Sequence, residues 1–428
     1  MHTIFALATA QGKAGVAVIR ISGPQAFAAA SVLAGSMPEP RKTGIRRLSD
    51  RAGALIDEAM VICFAGPASF TGEDVVELHL HGSPAIVRSV MTELSVIDGL
   101  RLAEPGEFTR RALENERLDL AQVEGLSDLI EAETEAQRQQ AMKVFSGGLS
   151  EQAELWRSQI IRAAALLEAT IDFADEEVPE DVTPEVQTLL RSVKEDLHQE
   201  IVGSEVAERL HLGFEVAIVG APNAGKSTLL NYIAKRDAAI TSDIAGTTRD
   251  VIEVRMDLKG LPVTFLDTAG LRETDDQIEG IGIERAMQRA KTADLRIFLN
   301  QSGETLLLAP ESGDLQYSAK GDTRDDAPNP ISGITGLGVI DMLDSVHAIL
   351  SDRLQQANLA SKERHRVALL IATDAIAFAE EQVQHGAERY ELVAEEIRTA
   401  ARALDSLLGR IDVEVILDEI FSSFCLGK

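Results

Sequence analysis

A glycine-rich loop between a strand pattern and a helix pattern is the first segment of this sequence that could do chemistry. It reads Gly220-Ala-Pro-Asn-Ala-Gly-Lys-Ser227, directly after the apolar run 216–219 and before a helical pattern that starts at Thr228. The spacing G-x-x-x-x-G-K-S is that of a phosphate loop, in which backbone N–H groups and a helix N-terminus surround the phosphates. We therefore predict nucleoside triphosphate binding, with Lys226 on the β- and γ-phosphates and Ser227 on Mg²⁺.

Two polar segments further along the chain supply the other parts of a nucleotide switch. The first is Gly246-Thr-Thr-Arg-Asp250, whose threonines could reach Mg²⁺ and the γ-phosphate. The second is Asp267-Thr-Ala-Gly270, which follows a strand pattern and offers a metal-side aspartate and a glycine amide. The order of the three segments predicts loops that respond to the γ-phosphate.

The segment expected to recognise the base departs from the usual pattern at one position. Guanine-specific proteins carry N-K-x-D there, whereas this chain has Ala319-Lys-Gly-Asp322 after a strand pattern at 315–318. Lys320 and Asp322 keep the spacing, and Ser332-Gly-Ile334 could place a backbone amide near the guanine oxygen. We predict a preference for guanine and leave strict guanine choice open because of the alanine.

The residue after the second switch segment bears on how an attacking water would be oriented. Many switch GTPases have a glutamine there, but this chain has Leu271, and no arginine can be assigned as a finger. The charge that develops on the transferred phosphoryl group must still be balanced. A monovalent cation held by Asn223 is one candidate, and Glu279 is the carboxylate that could position the water.

Composition narrows the classes of protein that this chain could be. The chain has 41 Lys and Arg residues and 69 Asp and Glu residues, so its formal net charge is −28. Because this charge repels phosphate backbones, a nucleic-acid substrate would need a basic partner or a local basic face. The two cysteines, Cys63 and Cys425, exclude a disulfide framework and indicate a reducing compartment, with Cys63 expected in the core. The N-terminus lacks a signal-peptide pattern and no run of about eighteen apolar residues occurs, so we expect a cytoplasmic protein without a membrane span.

Hydrophobic periodicity divides the chain into four segments. Residues 1–117 alternate short strand patterns with turns and predict an α+β domain. Residues 118–212 and 353–428 have helical periodicity and predict an all-α domain in two parts. Residues 213–352 predict an α/β GTPase domain inserted between them, because neither helical part has an obvious core alone. Two separate helical domains remain an alternative.

Some elements within these segments are specific predictions. Strands are expected at 16–19, 59–64 and 75–80. Helical stripes that should pack in a core are formed by two sets of residues: Leu120, Val123, Leu126 and Ile130, and Leu369, Ala372, Ile376 and Ala379.

The strand pattern at 75–80 places three polar side chains on one face. Glu77, His79 and His81 alternate with apolar residues, and strand side chains alternate between faces. Three interpretations stay open: a metal site, since a carboxylate and two imidazoles are sufficient ligands; a polar face that binds a ligand; and a solvated surface.

Further segments, together with these motifs, make the whole chain similar to one family. They are Thr3-Ile-Phe-Ala6, Gly15-Val-Ala-Val-Ile-Arg-Ile-Ser-Gly23, Phe70-Thr-Gly-Glu-Asp74, Pro105-Gly-Glu-Phe108, Leu118-Asp-Leu-Ala-Gln-Val-Glu124, Ile171-Asp-Phe173 and Ile420-Phe-Ser-Ser-Phe-Cys-Leu-Gly-Lys428. On these segments the chain resembles the MnmE (TrmE) family of tRNA modification GTPases over essentially its full length. The terminal C-x-G-K is the most specific of them.

The resemblance implies a fold and an activity. It implies a folate-binding and dimerising domain at 1–117, a helical domain at 118–212 and 353–428, and a Ras-like GTPase domain at 213–352. It also implies a homodimer that works with the FAD-binding protein MnmG (GidA) in a heterotetramer or larger assembly. Such complexes add an aminomethyl or carboxymethylaminomethyl group at carbon 5 of the wobble uridine in tRNA, which the partner would mainly hold. The one-carbon unit would come from 5,10-methylenetetrahydrofolate or a 5-formyl analogue, and the GTPase domains would pair in a K⁺-dependent way.

The resemblance also implies site residues, position by position. Folate contacts would be Arg20, Glu77, Arg117 and Lys428, and Cys425 would act at the modification site. The ligands of K⁺ would be Asn223, Ser242, Ile244 and Thr247, those of Mg²⁺ Ser227 and Thr248, and Glu279 would position the water. The nucleotide would also be contacted by Ala224, Gly225, Lys226, Thr228, Asp243, Ala245, Gly246, Asp267, Thr268, Ala269, Gly270, Lys320 and Asp322.

Two other function classes stay open on the sequence. One is a regulatory switch of the ribosome-assembly type, but such proteins usually append a basic RNA-binding module, and this acidic chain has none. The other is a folate-dependent aminomethyl transferase with a vestigial GTPase domain, for which Ala319 is the argument. Folate binding separates the first from the leading prediction, and GTP turnover separates the second.

Overall fold

The structure is a computed structural model that describes residues 2–172, 181–235, 253–267, 287–300, 308–324 and 327–411. Beyond residue 411 it describes Leu417, Ile420, Phe421, Phe424 and Gly427. The chain divides into two compact units, one of residues 1–127 with 404–428 and one of residues 128–403. The first unit therefore contains both ends of the sequence.

The first unit contains a six-stranded sheet with helices. Its strands are β1 (Thr3–Leu7), β2 (Val16–Ser22), β3 (Thr43–Ser49), β4 (Leu55–Phe64), β5 (Val75–His81) and β6 (Leu100–Leu102). Its helices are α1 (Ala26–Ala34), α2 (Pro84–Ser95), α3 (Glu107–Glu114) and the first part of α4 (Leu120–Glu131). The strand order is β3-β4-β5-β2-β1-β6, in which only the β1–β6 pair is parallel. The strands predicted at 16–19, 59–64 and 75–80 are confirmed as parts of β2, β4 and β5.

Alternation of side chains gives this sheet two different faces. One face packs against α1 and α2 and is apolar, with Ile21, Cys63 and Leu78 fully buried in one cluster. Because successive strand residues point to opposite sides, Arg20 and Glu77 lie on the other face. Cys63 is therefore in the core, as predicted, and burial raises the pKa of its thiol.

The stripe predicted on α4 is only half buried. Leu120 and Val123 are fully buried, and Val123 packs with Phe421 and Phe424. Further along the helix Ile130 is 40% exposed. The prediction of core packing along the whole stripe is thus wrong at its C-terminal end, because this aromatic cover includes only the first part of α4.

The second unit combines a helical part with a second sheet. Its helices are the end of α4, α5 (Glu135–Phe145), α6 (Gly148–Asp172), α7 (Thr183–Leu212), α8 (Lys226–Ala234), α9 (Val339–Leu354), α10 (Glu363–Val383) and most of α11 (Tyr390–Leu407). Its strands are β7 (Phe214–Gly220), β8 (Glu253–Leu258), β9 (Leu261–Asp267), β10 (Leu295–Asn300), β11 (Leu315–Ala319) and β12 (Pro330–Ile331).

The second sheet is a mostly parallel sheet with apolar clusters on both faces. Its order is β12-β11-β10-β7-β9-β8, and only β8 is antiparallel to its neighbour. Val216 and Ile218 of β7 pack towards α8 and α9, whereas Ala217 and Val219 pack with Phe298 on the opposite face. In such sheets ligands bind at the carboxyl ends of the strands, where the loops meet.

The long helices pack through regularly spaced apolar residues. Buried residues recur at alternating intervals of four and three on α6 (Leu149, Ala153, Trp156, Ile160, Ala163 and Leu167) and on α7 (Val186, Leu190, Val193 and Leu197). This spacing keeps one seam of each helix facing its neighbours. The predicted stripe on α10 is confirmed, since Leu369, Ala372, Ile376 and Ala379 are all fully buried.

Helices from before and after the second sheet lie together. Helix α10 packs on α7, and Glu380 of α10 forms ion pairs with Arg191 and Lys194 of α7. Helix α11 is joined to α6 by the ion pair of Arg398 with Glu168.

The domain boundaries at 117, 212 and 352 stay a prediction. Among the described helices, none has the length and apolar composition needed to cross a membrane.

Candidate functional site

The phosphate loop lies where β7 ends and α8 begins. Its backbone uses two left-handed residues, Asn223 with φ of 64° and Gly225 with φ of 97°. Lys226 opens α8 and is 4% exposed. Its Nζ donates to the carbonyl oxygens of Gly220 at 2.7 Å and Ala221 at 2.9 Å, so the ammonium group is held within the loop.

The next residue of the loop reaches the neighbouring strand. Ser227 Oγ donates to Oδ2 of Asp267 at 2.5 Å, and Asp267 is the last residue of β9, beside Ile218 of β7. A hydroxyl and a carboxylate oxygen are hard ligands of the kind that Mg²⁺ prefers. The donor set therefore fits Mg²⁺, which would offset phosphate charge when bound.

A cavity of about 190 Å³ adjoins the phosphate loop. Three parts of the chain line it: the loop with α8, the ends of β10 and β11, and the turn after β12. The lining residues are Asn223, Ala224, Gly225, Thr228, Leu229, Leu299, Ala319, Lys320, Asp322, Thr323, Ile331, Ser332, Gly333 and Ile334. The structure thus brings the predicted base-recognition residues next to the predicted phosphate site.

The alanine in place of asparagine is one of the residues that line this cavity. Ala319 is the last residue of β11 and 1% exposed, and Lys320 after it has a left-handed backbone with φ of 55°. A short 3₁₀ turn, Gly321–Thr323, then carries Asp322. The backbone geometry of the base loop is therefore formed without the asparagine side chain.

The turn after β12 approaches α8 more closely than a side chain would allow. A Cβ atom on Gly333 would lie 2.5 Å from the backbone nitrogen of Leu229 and 2.6 Å from its Cα atom. Gly333 does not have a left-handed backbone, so space alone excludes the side chain. Apart from the glycine itself, nothing in the sequence indicates this contact.

A second candidate site lies on the polar face of the first sheet. Arg20 and Glu77 are opposite each other in the β2–β5 pair, and Nη2 of Arg20 donates to Oε1 of Glu77 at 2.9 Å. The Arg20 guanidinium also lies over Phe70 at 5.3 Å and Phe108 at 5.7 Å from the ring centres. His79 Nε2 is 3.3 Å from Oε2 of Glu77. The half-buried ion pair of Arg20 and Glu77, with two aromatic rings beside the guanidinium, could hold a flat polar ligand.

The metal interpretation of the same strand is wrong for the described residues. His81 lies at the end of the strand, where its Nδ1 contacts Oδ1 of Asp57 at 2.7 Å. No group of three or more His, Cys, Asp or Glu side chains suited to a metal occurs in the described part of the chain. Glu77 is instead engaged by Arg20 and His79.

One further predicted folate contact, Arg117, can be located in part. The stem of Arg117 lies beside Gly72, on the same loop as Phe70, because a Cβ atom on Gly72 would be 3.4 Å from Cγ of Arg117. Gly427 lies against the end of β1, where a Cβ atom on it would be 2.2 Å from the carbonyl oxygen of Leu7.

An ionic network beneath this face was not predicted. Arg111 of α3 donates to Glu73 at 2.9 Å and to Glu107 at 2.9 Å, and Arg101 also holds Glu107. Burial acts to raise the pKa of Glu107, but hydrogen bonds from Arg101, the Glu104 backbone and Arg111 outweigh it and hold that pKa below its usual value. The network joins the segments 70–74 and 105–108, which the sequence analysis could only match as motifs.

The remaining predicted site residues lie outside the described residues. They are Ser242, Asp243, Ile244, Ala245, Gly246, Thr247, Thr248, Thr268, Ala269, Gly270, Glu279, Cys425 and Lys428.

A phosphate loop, a serine–aspartate pair at the metal position and an adjoining base cavity define a nucleotide-binding protein of the phosphate-loop class. Comparison with known proteins identifies a family within that class. The family model described as "GTP-binding protein TrmE N-terminus" matches residues 3–117, and the one described as "MnmE helical domain" matches residues 120–425. The chain belongs to the MnmE (TrmE) family of tRNA modification GTPases, and it is therefore a GTPase with a role in tRNA modification.

Relatives match over the whole length of the chain. Proteins called "tRNA modification GTPase MnmE" from Roseobacter denitrificans and Ruegeria pomeroyi are each 59% identical to it over 428 residues, which is 100% of both chains. The protein of that name from Cereibacter sphaeroides is 59% identical over 429 residues, again with 100% coverage of both.

Solved structures match in part. The G domain of the T. maritima FeoB iron transporter is 22% identical, with a TM-score of 0.25, and the match covers 32% of this chain and 97% of that chain. Aquifex aeolicus Era bound to GDP and aluminium fluoride is 23% identical, with a TM-score of 0.24 and coverage of 38% and 66%.

Proposed function

We propose that this chain hydrolyses GTP as one component of a complex that modifies the wobble uridine of tRNA. The observation that carries the proposal is the cavity in which Lys320 and Asp322 meet the phosphate loop. A carboxylate at that position can accept hydrogen bonds from N1 and N2 of guanine, which adenine does not offer. Lys226 and the Ser227–Asp267 pair then lie where phosphates and Mg²⁺ would bind.

Potassium takes the place of an arginine finger in this proposal. Asn223 lines the cavity beside the phosphate loop and has a left-handed backbone, and its side-chain amide would offer K⁺ an uncharged oxygen ligand. Ser242, Ile244 and Thr247 would complete the K⁺ site, Thr248 would join Ser227 on Mg²⁺, and Glu279 would position the water. Pairing of two GTPase domains would form this arrangement, so the active species is at least a homodimer.

The first unit supplies the one-carbon chemistry in this proposal. Arg20 and Glu77 form a polar pair over two aromatic rings, a setting suited to the flat pterin ring of a tetrahydrofolate. Arg117, Lys428 and Cys425 would complete that site. The donor would be 5,10-methylenetetrahydrofolate or a 5-formyl analogue, and the FAD-binding partner MnmG (GidA) would share the modification chemistry.

The charge of the chain supports a role for that partner in binding tRNA. A protein with a formal net charge of −28 repels a phosphate backbone, so the partner would hold most of the tRNA. We place the complex in the cytoplasm, where tRNA is modified.

The proposal is tested by GTP hydrolysis of the purified chain in KCl and in NaCl at equal ionic strength, with ATP as the control nucleotide. We expect turnover of GTP about tenfold or more faster in KCl, because a charge-balancing group in the transition state is worth at least that factor. No turnover of ATP is expected. Slow turnover that is equal in both salts would remove the roles given to Asn223 and Glu279.

The alternative of a transferase with a vestigial GTPase domain is not supported, because the chain belongs to a family of GTPases and its base loop is formed with Ala319 in place.

A further inference from the structure

The second unit contains a larger cavity than the one beside the phosphate loop. Its volume is about 460 Å³, and the described residues that line it are all different from those that line the nucleotide cavity. It is bounded by the end of α4, by α5, by the junction of α7 with β7, by the strands β8 and β9, and by the residue at 361 before α10. Small-molecule sites in proteins commonly have volumes of about 300–1,000 Å³.

The two strands give this cavity a guanidinium beside a hydroxyl. Arg255 of β8 and Thr264 of β9 are directly opposite each other in the antiparallel pair, so their side chains are neighbours on one face of the sheet. Thr264 is 6% exposed, and its hydroxyl makes no hydrogen bond to a described residue. Arg255 is exposed and forms no ion pair within the described part of the chain. A guanidinium and a hydroxyl donor side by side are suited to a carboxylate.

Helix α4 gives the same cavity two carboxylates. Asp128 and Glu131, which we call the acidic pair, are three residues apart on the helix and therefore lie on one face of it. Oδ1 of Asp128 accepts from Nζ of Lys362 at 2.7 Å and is 3.4 Å from Nδ1 of His211, so this carboxylate is held in place. Glu131 forms no ion pair with a described residue. Its charge is therefore available to an ammonium group.

The charged groups of this cavity do not neutralise each other. Arg255 is outside ion-pair distance of the acidic pair and of every other described carboxylate. Ser361 is 4% exposed and adds a second hydroxyl that has no hydrogen bond to a described residue. A buried hydroxyl without a partner costs free energy, which a bound molecule recovers by bonding to it. The lining also includes the buried apolar residues Ala141 and Leu210, so an occupant meets acidic, basic and apolar groups together.

We propose that this cavity binds a small zwitterion, an amino acid with an apolar side chain. Its carboxylate would lie against Arg255 and Thr264, its ammonium group against the acidic pair, and its side chain against the apolar lining. An acid without the amine, or an amine without the acid, would engage only one of the two charged groups. The site lies within the second unit and does not depend on the potassium and folate sites proposed above.

Binding is tested by isothermal titration calorimetry on the full chain with leucine, methionine, valine and phenylalanine. Ligand at about 10 mM nearly saturates a site with a Kd of about 1 mM, so weak binding is detected. For the amino acid that binds best, the matching acid without the amino group and the matching amine without the carboxylate are titrated too. We expect each analogue to bind about tenfold or more weakly, because each loses a charge-assisted hydrogen bond. Glycine, which has no apolar side chain, should also bind about tenfold or more weakly.

Variants of exposed residues assign the binding to this cavity. Arg255→Gln removes the cation, and Glu131→Gln removes the available carboxylate. The matched control Arg389→Gln makes the first of these changes at an exposed residue of the same unit that does not line the cavity. We expect a Kd about tenfold or more higher in Arg255→Gln and in Glu131→Gln, and the original Kd in Arg389→Gln.

Thermal unfolding midpoints, recorded for every variant, separate a loss of binding from a loss of the fold. If none of the amino acids binds at about 10 mM, the proposal is overturned and the cavity holds water only. An amine analogue that binds as tightly as the amino acid would overturn the zwitterion and the role of Arg255. One Kd shared by the unchanged chain, Arg255→Gln and Glu131→Gln would place the bound amino acid at another site and would also overturn the proposal.

Discussion

The contact between Gly333 and helix α8 makes a prediction that can be worked from the structure. An alanine there would place its Cβ atom 2.5 Å from the Leu229 nitrogen, whereas ordinary contact begins at 3.4 Å. The turn must therefore move away from α8 by about 0.9 Å, the difference between the two distances. That turn lines the cavity where Asp322 and the phosphate loop meet, so the displacement changes the shape of the base site.

The cost of the displacement sets the expected loss of affinity. Overpacking a well-filled site typically costs about 1–3 kcal/mol. If nucleotide binding requires the turn in its original place, that energy appears as a Kd for GDP raised about 5- to 150-fold. A fluorescent GDP analogue measures the Kd, and the thermal unfolding midpoint is recorded beside it.

The matched control for this measurement is Gly15→Ala, whose added atom meets nothing and which lies in the other unit. It should leave the Kd and the unfolding midpoint unchanged. A Gly333→Ala protein with the original Kd and the original midpoint would refute the close packing of the turn on α8.

Two further predictions concern single side chains. Ser227→Ala removes a hydroxyl that contacts Asp267. A hydrogen bond to a charged group is worth about 1.5–3 kcal/mol. We therefore expect the MgCl₂ concentration for half-maximal GTP hydrolysis to rise about tenfold to hundredfold. An unchanged MgCl₂ dependence would contradict this role. Burial raises the pKa of Glu200 on α7 above its ordinary 4.5, so the contribution of Glu200 to the free energy of unfolding is fully present below pH 4.5 and is lost as pH rises through the raised pKa. Glu200→Gln keeps an acceptor for the Ala360 amide and should flatten that slope in urea titrations, whereas equal slopes would count against it.

Predictions from the sequence were most accurate where local pattern determines structure. The phosphate loop could be predicted because a strand, two glycines and a lysine at fixed spacing define one backbone path. The strands of the first sheet were recognisable from alternating apolar residues, and the buried stripe on α10 from helical periodicity. For the base loop, spacing alone selected Lys320 and Asp322, and the structure brings both to the cavity beside the loop.

The sequence could not predict contacts between segments that are far apart in the chain. The Arg111–Glu73 ion pair joins residues 38 positions apart, and no local pattern indicates which carboxylate an arginine will meet. The extent of burial along the α4 stripe was overestimated for the same reason, since that burial depends on aromatic residues about 300 positions later in the chain. The sequence shows that residue 333 is glycine, but only the packing on α8 shows why a side chain is excluded there.

The division of the first unit into two separate parts of the chain has a consequence for how the protein is made. A ribosome synthesises the sheet of that unit before the residues that cover Val123, because Phe421 and Phe424 follow the second unit in the chain. Domains generally fold in the order of synthesis, but here the core of the first unit cannot be completed until Phe421 and Phe424 have been synthesised. A nascent chain that stalls anywhere before residue 421 therefore leaves this apolar surface open. Chaperones and proteases could distinguish an unfinished copy from a finished one by that surface.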